Sequence, residues 1–175
     1  MDGNPITLAG IEIPSDAPLF LLVLGMHVVF GLGCVVTGCV AMLSAKRAGR
    51  HPRFGTYYYW SLAVVFGTMS VLSAMRWAEN YRLFVLGFLS FVAATVGRTA
   101  RRRRWRSWVT LHIGGLGLSY VLLLTAFYVD NGPNLPLWNR LPPVAFWTLP
   151  TVVGAPLIVW ALLRHPLAKG RVPSI

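Results

Sequence analysis

Three histidines carry the chemistry open to this chain: His27, His51 and His112. Each lies in or beside a long apolar run. An ionisable side chain there is costly to hold and calls for a partner. Neutral imidazole ligates heme iron and chlorophyll-type pigments through one ring nitrogen. It also donates a hydrogen bond to a carbonyl on a neighbouring helix. His165 follows the last apolar run and reads as a solvated boundary residue. Cys34 and Cys39 are five apart on one helix, so their side chains point about 140° apart. No disulfide can join them. With no further thiols in the sequence, they read as small apolar residues and no metal centre is expected.

Depth separates the histidines. His27 stands about 24 Å from the basic end of its run at about 1.5 Å per residue, whereas His112 is roughly 5–10 Å from the basic block before it. A heme held between His27 and His112 is therefore disfavoured. His51 and His112 match better in depth. They could share a ligand, a metal or a hydrogen-bond network with Arg53, Ser119 or Tyr120. His27 is left as a lone axial ligand to a tetrapyrrole or as a donor to a neighbouring carbonyl. Gly31, Cys34 and Gly38 lie on the same helix face as His27, where small residues let a second helix approach closely.

The elements that position these groups follow from composition. The chain has 175 residues, 55% hydrophobic and only 12% charged. A soluble surface needs about twice that charge. A bilayer-spanning helix needs about 20 apolar residues. The sequence predicts five such helices, over residues 17–43, 57–78, 83–100, 108–131 and 144–163, in a single domain. Tyr57, Tyr58, Tyr59 and Trp60 open the second at an interfacial aromatic belt. Thr68, Ser70 and Ser73 within it can bond their own carbonyls or cross to a neighbour. Pro150 and Pro156 should kink the fifth. The loop between the fourth and fifth is rich in Pro and Asn and reads as a rigid surface segment.

The net charge is +11. Its basic residues sit in short loops rather than on one face, which argues against nucleic-acid binding and for orientation in a membrane. Thirteen of the sixteen fall in the first loop, in Arg98–Arg106 and in the tail. Only Arg76, Arg82 and Arg140 lie on the other side. The basic side is cytoplasmic. This places the N-terminus outside and the C-terminus inside. The first segment is acidic and lacks the basic start of a signal peptide. No paired carboxylates, phosphate loop or nucleophile elbow occurs, so no enzyme class is indicated.

Two segments, HPRFGTYYYW from His51 and LHIGGLGLSYVLLLTAFYVDNGPNLPLWNRLPPVAFW from Leu111, resemble a family of small bacterial predicted polytopic membrane proteins catalogued only as a domain of unknown function. The resemblance implies histidines in the first helix, the following loop and a later helix, here His27, His51 and His112. It implies no activity.

The reading is thus an all-α integral membrane bundle of the bacterial inner membrane. The expected role is a non-catalytic accessory or structural subunit that meets lipid and other membrane proteins. A heme- or pigment-binding electron-transfer protein and a small-solute carrier working at the kinked fifth helix are the alternatives.

Overall fold

Apolar runs without water can satisfy their backbone only internally, so helices are the available structure. The computed structural model has five long ones: α1 (Pro18–Leu43), α2 (Arg50–Met75), α3 (Trp77–Arg102), α4 (Trp108–Asn131) and α5 (Pro143–Arg164). It describes residues 6–8, 11–13, 15–46 and 49–165. Asp2, Arg47, Lys169 and Arg171, used in the charge argument, lie outside the described residues. All five helices are long and apolar enough to cross a membrane. Large apolar side chains point outward along them, with Val29 on α1 and Val152 on α5 each 67% exposed. A soluble protein does not present such faces to water. This is a multi-pass membrane protein.

A small addition to the all-helical expectation is an antiparallel hairpin of β1 (Ile6–Leu8) and β2 (Ile11–Ile13), with Ile6 opposite Ile13 and Leu8 opposite Ile11. Its strands alternate apolar and polar residues with β-branched Ile and Thr.

Two helix starts differ from expectation. α2 begins at Arg50, seven residues before Tyr57. Pro52 does not delay it, because near a helix start its missing N–H is one of the unbonded donors. α3 begins at Trp77, not Leu83, and ends at Arg102. It is as long as α1 and α2, at 26 residues. Arg76 alone separates it from α2, with φ −142° and ψ 65°. No Gly or Pro marks residues 76–82, and an Arg76–Glu79 ion pair of 3.1 Å ties the break to the new helix. At about 1.5 Å per residue these helices span about 39 Å, so they extend beyond the hydrocarbon into the headgroup layers.

The chain divides into two compact units, Met1–Val85 and Leu86–Ile175. In the first, α1 and α2 run antiparallel. Cys34, fully buried, and Gly38 lie in their seam, and the Cys34 thiol faces the Tyr58 carbonyl at 3.9 Å. In the second, α4 packs against both the later part of α3 and α5. Gly115 meets the backbone of Ala93 and Gly97, while Gly117 meets Ile158. α5 stays helical through Pro150 and Pro156. Between α4 and α5 the chain makes two 3-10 turns, Gly132–Asn134 and Trp138–Arg140, with the Tyr128 and Trp138 rings 4.6 Å apart.

Candidate functional site

Each sequence-predicted histidine has a partner on a helix adjacent in the chain. His27 on α1 places Nδ1 3.0 Å from the Thr68 hydroxyl oxygen on α2. That hydroxyl lies 2.9 and 3.0 Å from the Val64 and Val65 carbonyls, which can only accept. The pair closes in either of two ways: Nδ1–H donates to the hydroxyl oxygen while the hydroxyl proton goes to a carbonyl, or the hydroxyl donates to an unprotonated Nδ1. Metal-ligating histidines show the first arrangement, with one nitrogen tied and the other basic. The same bond also serves as a clasp between two membrane helices.

His51 works at a helix end. The last four carbonyls of a helix lack partners within it. The Val40 carbonyl accepts from the Ser44 backbone N–H and from its hydroxyl at 2.6 Å. The Ala41 carbonyl accepts from His51 Nδ1 at 2.8 Å and from the Lys46 ammonium at 3.2 Å. Lys46 also donates to the Met42 carbonyl. A cation at this end further complements the helix dipole. Partial burial holds the Lys46 ammonium below its ordinary pKa. His51, in the first turn of α2, thus closes the end of α1.

His112 on α4 donates from Nδ1 to the Gly97 carbonyl of α3 at 3.2 Å. Seven residues along α4, the Ser119 carbonyl accepts from the Ser90 hydroxyl of α3 at 2.9 Å, and the two hydroxyls lie 3.2 Å apart. Ser90 and Ser119 are both fully buried. On α3 the partners are also seven apart, so both bonds share one antiparallel register. Gly115 lies between them, against Ala93 and Gly97.

Nδ1 of His51 bonds α1 and Nδ1 of His112 bonds α3. His27 and His51 lie in the first unit and His112 in the second. Among the described residues no three His, Cys, Asp or Glu side chains group as a metal site. Ser70 bonds its own Phe66 carbonyl at 2.8 Å. Ser73 departs from expectation. Its hydroxyl is buried and has no hydrogen-bond partner among the described residues. Ser90 is the residue the sequence reading passed over. Its signal was the run Ser90, Ala94, Gly97, small residues at spacings of four and three on α3.

The His27–Thr68 clasp is testable. Thr68→Val keeps the shape and removes the hydroxyl, so it should cost about 1 kcal/mol. Thr68→Ser should stay within about 0.3 kcal/mol of the parent, because the hydroxyl remains. Denaturant unfolding in mixed micelles, followed by circular dichroism, reads both. Equal losses in the two variants would remove the hydrogen bond from the account.

No protein-family model, no curated protein and no solved structure matches this chain.

Proposed function

We propose that this chain is a non-catalytic, accessory or structural subunit of a larger membrane complex in the bacterial inner membrane, with its N-terminus outside and its C-terminus in the cytoplasm. The observation that carries the reading is the use made of the intramembrane polar groups. His27, His112, Ser90 and Ser119 join one helix to another. Chemistry at a site needs polar groups held ready for a substrate; these are engaged in hydrogen bonds between neighbouring helices. The broad apolar faces of α1 and α5 suit lipid and protein neighbours. The count of basic residues supports the orientation, and the resemblance of the His51 and Leu111 segments supports a bacterial source.

One observation favours the heme or pigment alternative. Nδ1 of His27 is engaged at Thr68, and in the tautomer that carries its proton there Nε2 is a basic nitrogen of the kind that takes an axial position on a tetrapyrrole. A carrier would need a polar cavity at Pro150 and Pro156. One groove of about 590 Å³ is lined by Phe30, Tyr57, Trp60, Ser61, Ala63 and Val64 of α1 and α2.

Gentle solubilisation of native membranes decides between the first two readings. The expected preparation is colourless and migrates well above the 19.3 kDa of one chain, with companion proteins in fixed ratio. A Soret band that shifts on reduction and vanishes in His27→Ala would replace the subunit reading with the redox one. A single uncoloured chain without companions would remove both.

A further inference from the structure

We infer that the turn between α3 and α4 is a binding site for phospholipid headgroups that carry two phosphates. Arg101, Arg102, Arg103, Arg104 and Arg106 are all exposed there, five cations in six residues. Among the described residues none of the five is ion-paired with a carboxylate. Such a cluster repels itself and is relieved only by anions.

The backbone holds the cluster in a fixed shape. α3 is closed by the Arg103 N–H on the Thr99 carbonyl at 2.8 Å and the Trp105 N–H on the Ala100 carbonyl at 3.1 Å. This is the closure in which glycine normally takes the left-handed position. Here Arg104 takes it, at φ 51°. A side chain in that conformation costs about 1 kcal/mol or more, which a glycine would avoid. The guanidinium of Arg104 is steadied over the Trp108 ring, 5.3 Å from its centroid.

The depth is that of lipid phosphates. Trp105 is 42% exposed beside the start of α4, and tryptophan settles at the headgroup level. Ser107, the residue before α4, makes no side-chain capping bond, and although the Trp108 N–H donates to the Trp105 carbonyl at 2.9 Å, the positive end of the dipole of this 24-residue helix adds to the field. Guanidinium groups bind phosphate oxygens in pairs of parallel hydrogen bonds. One phosphate engages one or two arginines. Two phosphates joined by a short bridge engage most of the cluster while only one lipid is ordered. This favours a doubly charged lipid over two singly charged ones.

The test titrates the purified full chain in neutral detergent with cardiolipin, phosphatidylglycerol or phosphatidylcholine and counts bound lipids by native mass spectrometry. Cardiolipin should bind at least tenfold tighter than phosphatidylglycerol, and phosphatidylcholine should show no saturable site. Each arginine contributes roughly fivefold, so R102Q/R103Q/R106Q should weaken cardiolipin binding roughly a hundredfold with helical content unchanged. The wild-type preference for two phosphates stands by itself if that variant fails to fold. Equal affinity for one and two phosphates would overturn the proposal. So would a folded triple variant within twofold of wild type. Displacement of cardiolipin by an equal concentration of inorganic phosphate would mark a free-anion site and overturn the lipid assignment.

Discussion

Alanine at Gly115 is expected to destabilise the protein by about 3 kcal/mol, while alanine at its neighbour Gly114 is expected to stabilise it by about 0.5 kcal/mol. The two sites share sequence context and helix, so propensity alone predicts the same small gain for both. Their surroundings differ. A methyl group on Gly114 meets nothing within 4 Å. One on Gly115 lies 2.7 Å from the Ala93 carbonyl oxygen and 3.0 Å from the Gly97 backbone. Those are main-chain atoms of a packed helix and cannot rotate aside, so α3 and α4 must move apart. Separation also stretches the His112–Gly97 and Ser90–Ser119 bonds, which flank the contact in the same register. The cost therefore sits at the upper end of the range for overpacking, and one substitution weakens three contacts. Unfolding of both variants in mixed micelles gives the comparison. Equal and small effects would mean that α3 and α4 do not touch through Gly115.

That seam also marks how far the sequence could be read. Membrane class and helix number follow from composition and run length, which are properties of the chain alone. Of the His27, Gly31, Cys34, Gly38 face, the structure buries Cys34 and Gly38 and bonds His27 to α2, but a methyl on Gly31 would meet nothing within 4 Å, so the expected close approach does not occur there. Which helix supplies each histidine's partner was not legible. Depth was argued from residue counts, which matched His51 with His112 in level and named no backbone partner for either. Depth does not say which way a ring faces. Both rings use Nδ1 on carbonyls, groups that every residue carries and that leave no mark in the sequence. The early start of α2 was hidden for a related reason. Arg50, His51, Pro52 and Arg53 look like loop by charge and by proline, yet a helix that extends past the hydrocarbon holds them without penalty. The Thr68 partner was within reach, since a threonine inside an apolar helix is one of few side chains that can bond a histidine there.

The second large effect is a rescue. Gly154→Ala on α5 should cost about 2–3 kcal/mol, and adding Val121→Ala on α4 should restore most of it. The added methyl would fall on Cγ2 of Val121. A valine on a helix has essentially one side-chain rotamer, so that methyl cannot swing away. Val121→Ala alone leaves a small void. Its cost is mainly lost packing, since an apolar group gains little on leaving lipid for protein. In the double variant the new methyl fills that void, giving a coupling energy of about 2–3 kcal/mol. Four residues along each helix the relation is reversed: Gly117 of α4 receives Ile158 of α5, whose Cγ1 and Cδ1 would lie 2.6 and 2.8 Å from an added methyl. Turning the outer carbon of Ile158 would move Cδ1 but not Cγ1, which is fixed by the same χ1 restriction as in valine, so Gly117→Ala should cost about as much as Gly154→Ala. The consequence reaches function. Gly154 lies between Pro150 and Pro156, the two positions where α5 could hinge. A carrier needs that segment to move against α4, whereas strong coupling at Val121 clamps it. A double variant whose losses simply add would show that the clamp does not exist and would return the carrier reading to contention.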